Sequence, residues 1–390
     1  MDFSDSPSEA KVRVEAREWL DANFPPWLEA NPERGAYDLE RARSWHRELY
    51  EGGWAAPSWP GEFGGRGFGP AEHFVWEQEK ARIGANIPFD VPGFGMAGPT
   101  IIFHGTQEQK DRYLPPLLRG DETWSQLFSE PGAGSDLASV TTRADRDGDD
   151  WVVTGQKVWS SGAHEADHGL LLARFDFDLP KHQGLIYLLV DMRTPGIDTR
   201  PLKQMDAGSH FNEVFLDGVV VPDANRLGEP GQGWQVATTT LMHERINLGG
   251  AMTGFALPFE RLAELARSRP PSAAARHALV DVYVQHRILE LLNARVVSRI
   301  SRGQIPDTEG SIMKLVLANL VSDSASLAVD LLGPDGALED GDLQRAFLGS
   351  RAFHIGGGTD EVQRNVIAER ILGLPREPRL DKDLPFSRTV

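Results

Sequence analysis

Apolar residues change their period twice along the chain. Up to about residue 121 they recur every three or four positions between loops rich in Gly and Pro, the spacing of helices that bury one face. Val12, Ala16, Trp19 and Leu20 share such a face. Ser6, Pro7 and Glu9 supply its entry: a hydroxyl cap, a proline where a missing N–H costs nothing, and the acid of a capping box. Ala42, Trp45 and Leu49 form a second apolar side. A third helix opens at Pro70 and presents Phe74 and Val75, and Thr106 to Gln109 make a second capping box. The helix after that box is expected to be interrupted at Pro115-Pro116, which lack N–H donors.

From 122 to 231 the apolar runs shorten and are bounded by turn residues. Trp151-Val152-Val153, Leu170-Leu171-Leu172, Leu185 to Val190 and Val219-Val220-Val221 read as strands. Asp147-Gly148 before Asp149-Asp150 predicts a hairpin between Thr141-Thr142 and Trp151-Val153, because Gly accepts the positive φ of a tight turn. Strands of this kind build a small antiparallel barrel or sandwich. From 232 to 390 the helical period returns, with Leu279, Tyr283, His286, Leu289, Leu292, Val296 and Ile300 in one stripe. Further helices are predicted at 234 to 265, 309 to 332, 341 to 353 and 360 to 372, a spacing suited to an antiparallel bundle, and the tail after Pro375 reads as irregular. The expected architecture is an α+β multidomain chain: helical over 1–121, β over 122–231 and a helix bundle over 232–390.

Charge and composition narrow the partners. Fifty-seven acidic residues against 40 basic ones give a net charge of −17 over 390 residues, which repels nucleic acid and an anionic bilayer alike. With no cysteine there is no disulfide, thiolate nucleophile or Cys-ligated metal. The longest uninterrupted apolar run, Leu185 to Val190, is far below the ~20 residues of a membrane span. The acidic N-terminus does not begin a basic signal peptide, so a soluble, cytoplasmic protein is expected.

Several common chemistries have no motif here. There is no Walker A lysine loop and no Gly-x-Ser-x-Gly elbow, and His164-Glu165 and His243-Glu244 both lack a second His one turn later. Neither Gly132-Ala133-Gly134 nor Gly356-Gly357-Gly358 completes a dinucleotide fingerprint. Three stretches carry more. Phe128-Ser129-Glu130-Pro131-Gly132-Ala133-Gly134-Ser135-Asp136 leaves a strand through glycines whose N–H groups can hold a polar ring edge or a phosphate, or else forms a tight turn capped by Ser135 and Asp136. Trp151 to Gly162 carries Trp159 and Ser161, the indole being either a core aromatic or a cofactor wall. Gly356-Gly357-Gly358-Thr359-Asp360-Glu361 opens a helix capped by Thr359, either an ordinary capped helix or a source of orphan N–H groups for an acceptor.

Together with His104 to Lys110, Tyr113-Leu114-Pro115 and Ile367-Ala368-Glu369-Arg370, these stretches resemble the acyl-CoA dehydrogenases over essentially the whole chain. The resemblance implies FAD between the β domain and the C-terminal bundle, with an acyl-CoA thioester against the flavin. A carboxylate would remove the α-proton while the β-hydride passes to flavin N5. It also implies a tetramer-like oligomer and an electron-transferring flavoprotein as acceptor. On matching positions, Gln126, Phe128, Ser129, Gly134, Ser135, Trp159, Ser161, Thr359 and Glu361 would contact FAD. Ser129 would approach the pyrimidine end and Thr359 and Glu361 the ribityl or adenosine part, while either Gln126 or Phe128 could belong to the core alone. Ser135, Arg245 and Gly357 would touch the acyl-CoA.

Two departures from that family's pattern bear on function. Where its best-known members carry the base, directly before Gly-Thr, this chain has Gly357, which keeps an N–H but cannot accept a proton. A second branch, similar to actinobacterial fatty-acid and steroid-side-chain enzymes, carries its Glu before an Arg on an early helix of the C-terminal domain, and Leu241-Met242-His243-Glu244-Arg245 stands at that place. Glu244 is therefore the candidate base, the alternative being a solvated helix carboxylate paired with Arg245 or His243. Many members also grip a neighbouring subunit's FAD pyrophosphate through an Arg followed by Phe-Gly. The run Leu265-Ala266-Arg267-Ser268-Arg269-Pro270-Pro271 has no Phe-Gly, and Asp330 stands where Gln is common. Two readings follow: an acyl-CoA dehydrogenase using Glu244, or a non-catalytic or half-site subunit that forms a heteromer with a paralogue. A fold-related flavin oxidase or monooxygenase is a third.

Overall fold

The computed structural model describes residues 5–32, 38–251, 256–300, 309–338, 341–378 and 382–388, with the side chains of 245–251, 297 and 300 outside that description. The N-terminal region is helical: α1 (Pro7–Ala30), α2 (Leu39–Glu51), α3 (Pro70–Ile83), α4 (Gly98–His104) and α5 (Gln107–Arg119). Both capping boxes are formed. Ser6 Oγ accepts from Glu9 N at 3.3 Å, and Thr106 Oγ1 accepts from Gln109 N at 3.2 Å. Helix α5 runs through Pro115-Pro116, contrary to expectation. Leu114, Leu117 and Leu118 are all buried. At about 1.5–3 kcal/mol each they offset the roughly 3 kcal/mol that an interior proline costs. Helices α1 and α3 are joined by Glu79, a buried carboxylate that accepts from Arg13, Arg17 and Arg82 at 3.1, 2.8 and 2.7 Å.

One curled, seven-stranded sheet follows: β1 (Trp124–Leu127), β2 (Arg143–Asp147), β3 (Asp150–Lys157), β4 (His168–Arg174), β5 (Leu185–Asp191), β6 (Ile197–Pro201) and β7 (Asn212–Pro222). The order is β1-β4-β2-β3-β7-β6, with β5 on β4. The β2/β3, β3/β7, β4/β5 and β6/β7 pairs are antiparallel. Two pairs are parallel: β2 with β4 at Arg143↔Arg174, and β1 with β4 from Trp124↔His168, where the chain reaches β1 from α5 and returns only after the long crossover 128–167. The predicted hairpin is present: Asp147 pairs with Asp150 around Gly148 at φ +59°. Strand β2 starts at Arg143, since Thr141 and Thr142 give their N–H groups to Glu130 instead.

The uninterrupted apolar runs of β4 and β5 are explained by burial on both faces. Leu170, Leu172, Leu185, Tyr187 and Leu189 face Ile101, Leu117 and Val236 on the helical side, while Leu171, Ala173, Ile186, Leu188 and Val190 face Trp151, Val153 and Val214 across the curl.

The C-terminal region contains α6 (Gly233–Ala251), α7 (Phe259–Ser268), α8 (Ala273–Ile300), α9 (Glu309–Leu332), α10 (Asp342–Gly349) and α11 (Asp360–Val366). The helix expected over 234–265 is thus two, with Pro258 ahead of α7. In α8, Leu289 is buried and Leu279, Leu292 and Val296 pack against the bundle core. Val282 takes the inward place expected of Tyr283, which is exposed, and the side chain of Ile300 lies outside the described residues. The stretch Glu309–Ala337 is long and apolar enough to cross a membrane, at mean hydropathy 1.5, but 56% of that window is buried inside the protein. The tail is not loose: Phe386 N donates to Leu179 O at 3.0 Å, and its buried ring lies 3.7 Å from the Arg174 guanidinium.

Asp90, at φ +40°, is buried where the N-terminal helices meet β1. Its Oδ1 accepts from Gly93 N and Trp124 N, both at 3.1 Å, while burial pushes the carboxyl up to about 7. A raised carboxyl contributes stability that is fully present below its ordinary range near 3.8 and is lost as pH rises through about 7. Asp90→Asn, whose side chain tolerates positive φ, is expected to melt above the parent at pH 8, by roughly 2–4 °C per kcal/mol, and by a smaller margin at pH 5. Thermal unfolding followed by circular dichroism at the two pH values checks this, and an equal gap at both would refute it.

Candidate active site

The first signature stretch is built around a buried charge. Lys157 at the end of β3 is fully buried, and its Nζ donates to Phe128 O at 3.0 Å, Leu172 O at 2.7 Å and Glu130 Oε1 at 2.8 Å. Burial pushes the ammonium down to about 8, with Glu130 opposing. Glu130 in turn, although burial acts to raise it, is held below the usual carboxylate range by Lys157. Ser129 sits between the two groups this pair grips, half-buried, and its carbonyl accepts from Val158 N at 2.9 Å. The Phe128 ring is in the core, edge-on to Tyr187. Gln126 points its Nε2 into a buried place with no partner among the described residues. Beyond Glu130 the chain folds back in a tight turn, with Glu130 and Ala133 exchanging backbone bonds at 3.0 Å. Gly134 and Ser135 are exposed, and a Cβ added at Gly132 or Gly134 would meet open space. Just past this turn, Asp136 makes no backbone cap; it accepts from Ser139 Oγ at 2.6 Å and pairs with Lys181.

Trp159 follows in the next segment. It adopts φ +62°, uncommon for a bulky residue, and leaves its indole 61% exposed, edge-to-face with Phe211 at 6.0 Å. Buried Ser160 locks the backbone there, its N–H on Asn212 O at 3.1 Å and its carbonyl on Asn212 Nδ2 at 2.8 Å. Ser161 is exposed and its carbonyl accepts from Ser125 Oγ at 3.0 Å. Ser129, Trp159 and Ser161 are thus brought together by bonds between the two signature stretches.

Glu244 lies on α6, one turn beyond Thr240. Thr240 Oγ1 meets Tyr187 Oη and Thr100 Oγ1, both at 3.0 Å, and Thr239 Oγ1 meets His104 Nε2 at 2.9 Å. These bonds fix α6 against β5 and α4. Glu244 is half-buried; burial lowers the neighbouring His243 and also His104, which makes both poor cations at neutral pH. The side chain of Arg245 lies outside the described residues. On the last loop, Gly357 and Gly358 take φ +67° and +86°, the left-handed region that disfavours any side chain. Gly357 O accepts from Gln363 Nε2 at 2.9 Å, and Thr359 caps α11 through Val362 N at 3.3 Å. Glu361 is exposed beside Arg364 at 3.4 Å. Asp360 ties this loop to α9 through Lys314 at 2.8 Å, with His354 at 2.7 Å on its other oxygen.

Residues 6–121, 125–219 and 231–372 match in turn the N-terminal, middle and C-terminal domains of acyl-CoA dehydrogenases. The chain belongs to that family. It is 42% identical to acyl-CoA dehydrogenase FadE34 of Mycobacterium tuberculosis over 84% of its own length, and spans 46% of that relative. Among solved structures it resembles the Tcur3481-Tcur3483 steroid ACAD, at TM-score 0.82 and 31% identity, covering 97% of this chain and 100% of that one. It also resembles the ChsE4-ChsE5 complex from Mycobacterium tuberculosis, at TM-score 0.80 and 30% identity, covering 96% and 100%. Acyl-CoA dehydrogenases are FAD flavoproteins and oxidoreductases. The residues here fit that cofactor: an unpartnered buried amide at Gln126, a large exposed indole at Trp159 and an open, glycine-lined turn at 132–134 suit a flat ring with polar edges.

Sequence reasoning passed over Glu130, Lys157, Asn212, Lys314 and Asp360, which shape the site from beneath. The available signal was a charged residue within each signature stretch, but their partners lie 27 and 46 positions away. Lys314→Met would leave Asp360 without its buried ammonium and is expected to cost about 3 kcal/mol, part of which Lys314→Met with Asp360→Asn recovers. Denaturant unfolding of the three variants checks it; an unshifted Lys314→Met would show that the pair does not hold the loop.

Proposed function

We propose that this chain is a cytoplasmic, FAD-dependent acyl-CoA dehydrogenase that forms the 2-enoyl thioester, with Glu244 as its base. The observation that carries the reading is the pairing of Gly357, in a left-handed conformation with no side chain to offer, with a carboxylate at Glu244 on a helix pinned by Thr239 and Thr240. Glu244 accepts the α-proton of the thioester. The Gly357 N–H is available to polarise the thioester carbonyl, which acidifies that proton. Ser135 on the exposed turn and Arg245 serve the CoA side. Ser129, Gln126, Trp159 and Ser161 seat the ring system, and Gly134, Thr359 and Glu361 serve the rest of the cofactor. Bound FAD supplies the hydride acceptor. An electron-transferring flavoprotein is the proposed onward acceptor.

A second reading, a half-site subunit of a heteromer, has its own support. Arg269, in the run where many members grip a neighbour's pyrophosphate, is engaged within its own chain by Leu332 O at 2.6 Å and Asp335 Oδ2 at 2.8 Å. The structurally similar ChsE4-ChsE5 is itself a complex. An oligomer of four subunits suits either reading, since Val280, Tyr283, Val284, Ile288 and Leu291 leave an apolar stripe exposed along α8. Purifying the chain with and without its paralogue, then measuring bound FAD and bleaching of the flavin band by acyl-CoA, separates the two.

Glu244→Gln keeps shape and removes the proton acceptor. It is expected to retain FAD and acyl-CoA but slow flavin reduction by roughly 10²- to 10⁴-fold in stopped flow; an unchanged rate would reject the base. Gly357→Glu in that background should restore little, because the side chain is forced into a left-handed backbone. Ser129→Ala should weaken FAD binding by about 1 kcal/mol, and Trp159→Ala by more, in fluorescence titration.

A further inference from the structure

Both signature stretches of the β domain pass through the Glu130–Lys157 pair, and nothing in the proposed chemistry uses it. The three N–H bonds of the ammonium are spent on Phe128 O, Leu172 O and Glu130. The carboxylate accepts in addition from Thr141 N at 2.7 Å, Thr141 Oγ1 at 2.9 Å and Thr142 N at 2.9 Å. The pair therefore has no proton to spare for a substrate. It is also a costly way to fill space, since two apolar side chains of similar volume pack without desolvating charge. Apolar side chains could not, however, hold main-chain groups from three separate segments at hydrogen-bond distance from one point.

The stretches that hold Glu130 and Lys157 carry the residues proposed to face the cofactor. Ser129 lies between the carbonyl that takes the ammonium and the carboxylate that balances it. Trp159 lies two positions past Lys157, and Val158 N between them donates to Ser129 O. The left-handed φ of Trp159 is a conformation that persists only where the surroundings over-determine it, and here the ammonium secures one side and Asn212 the other. We infer that Glu130 and Lys157 are positioning residues for the flavin: the pair fixes the hydroxyl of Ser129 and the indole of Trp159 relative to one another, so that the ring's edge and face meet partners already in place.

This inference rests on the FAD reading of the same stretches, and the experiment separates the two. FAD affinity, the vibronic shape of the bound flavin band and the melting temperature of the FAD-free protein are measured for the parent, for Lys157→Met and for Leu188→Ala, a fully buried residue on the same sheet in the other core. Measurements are made on the chain in its native assembly, with the paralogue present if the assembly contains one. Lys157→Met is expected to raise the FAD dissociation constant at least about 10-fold and blur the band, because it leaves buried groups unpaired beneath Ser129. Leu188→Ala, although it also lowers the melting temperature, should keep the affinity within about 3-fold and the parental band. Should Lys157→Met fail to fold, Glu130→Gln carries the same comparison. Parental affinity and spectrum in the folded variant, or equal losses in variant and control, would overturn the positioning role alone; a parent that takes up no FAD would overturn the FAD reading with it.

Discussion

A sheet that has to be buried on both faces governs this molecule. Leu170–Ala173 of β4 and Leu185–Val190 of β5 are uninterrupted apolar runs, so one face needs helices and the other needs the sheet's own curl. The helices that meet the first face flank the sheet in the sequence, α4 and α5 before it and α6 after it. That junction is sealed by hydroxyls as well as by hydrocarbon. Tyr187, Thr240 and Thr100 share a fully buried contact, and each hydroxyl satisfies another at a depth where an unpaired one would be costly. The candidate base is one helical turn from this contact, so its placement follows from how the three regions close.

The rim of the site is organised differently. Its exposed members, Trp159 and Ser135, and the half-buried Gly357–Gly358 corner gain little from packing and are held by charged pairs below the surface. Glu130 with Lys157 and Asp360 with Lys314 act in the same manner: a buried lysine crosses between elements and fixes the loop that presents the functional groups. Strained or exposed functional groups on rigid charged supports are what preorganisation requires.

Much of this was legible in the chain. Helix entries at Ser6 and Thr106, the turn at Gly148 and the strand runs depend on neighbours within four residues, and those local rules hold in the structure. Where reading failed, tertiary packing overrode local preference: Leu117 and Leu118 carry α5 past its prolines, and Val282 replaces Tyr283 in the bundle core. The parallel pairing of β1 was not legible, because register between distant strands leaves no local mark. Among the candidate site residues, motif spacing singled out positions at the rim, such as Trp159 and Ser135, together with Phe128 of the core. The pairs beneath them went unnoticed, since a Lys and a Glu separated by 27 residues look like ordinary surface charges until folding buries them.

The returning C-terminal tail alters what counts as a unit. Phe386 closes over Arg174, whose guanidinium also holds Ala138 O and Val140 O just past the signature turn. The β domain's surface is therefore completed by residues encoded more than 150 positions beyond its last strand. During synthesis the middle of the protein emerges unfinished, and the backbone just past its signature turn gains its full backing only when Phe386 arrives. Excised as a separate piece, the same strands would expose a buried cation and the carbonyls that depend on it.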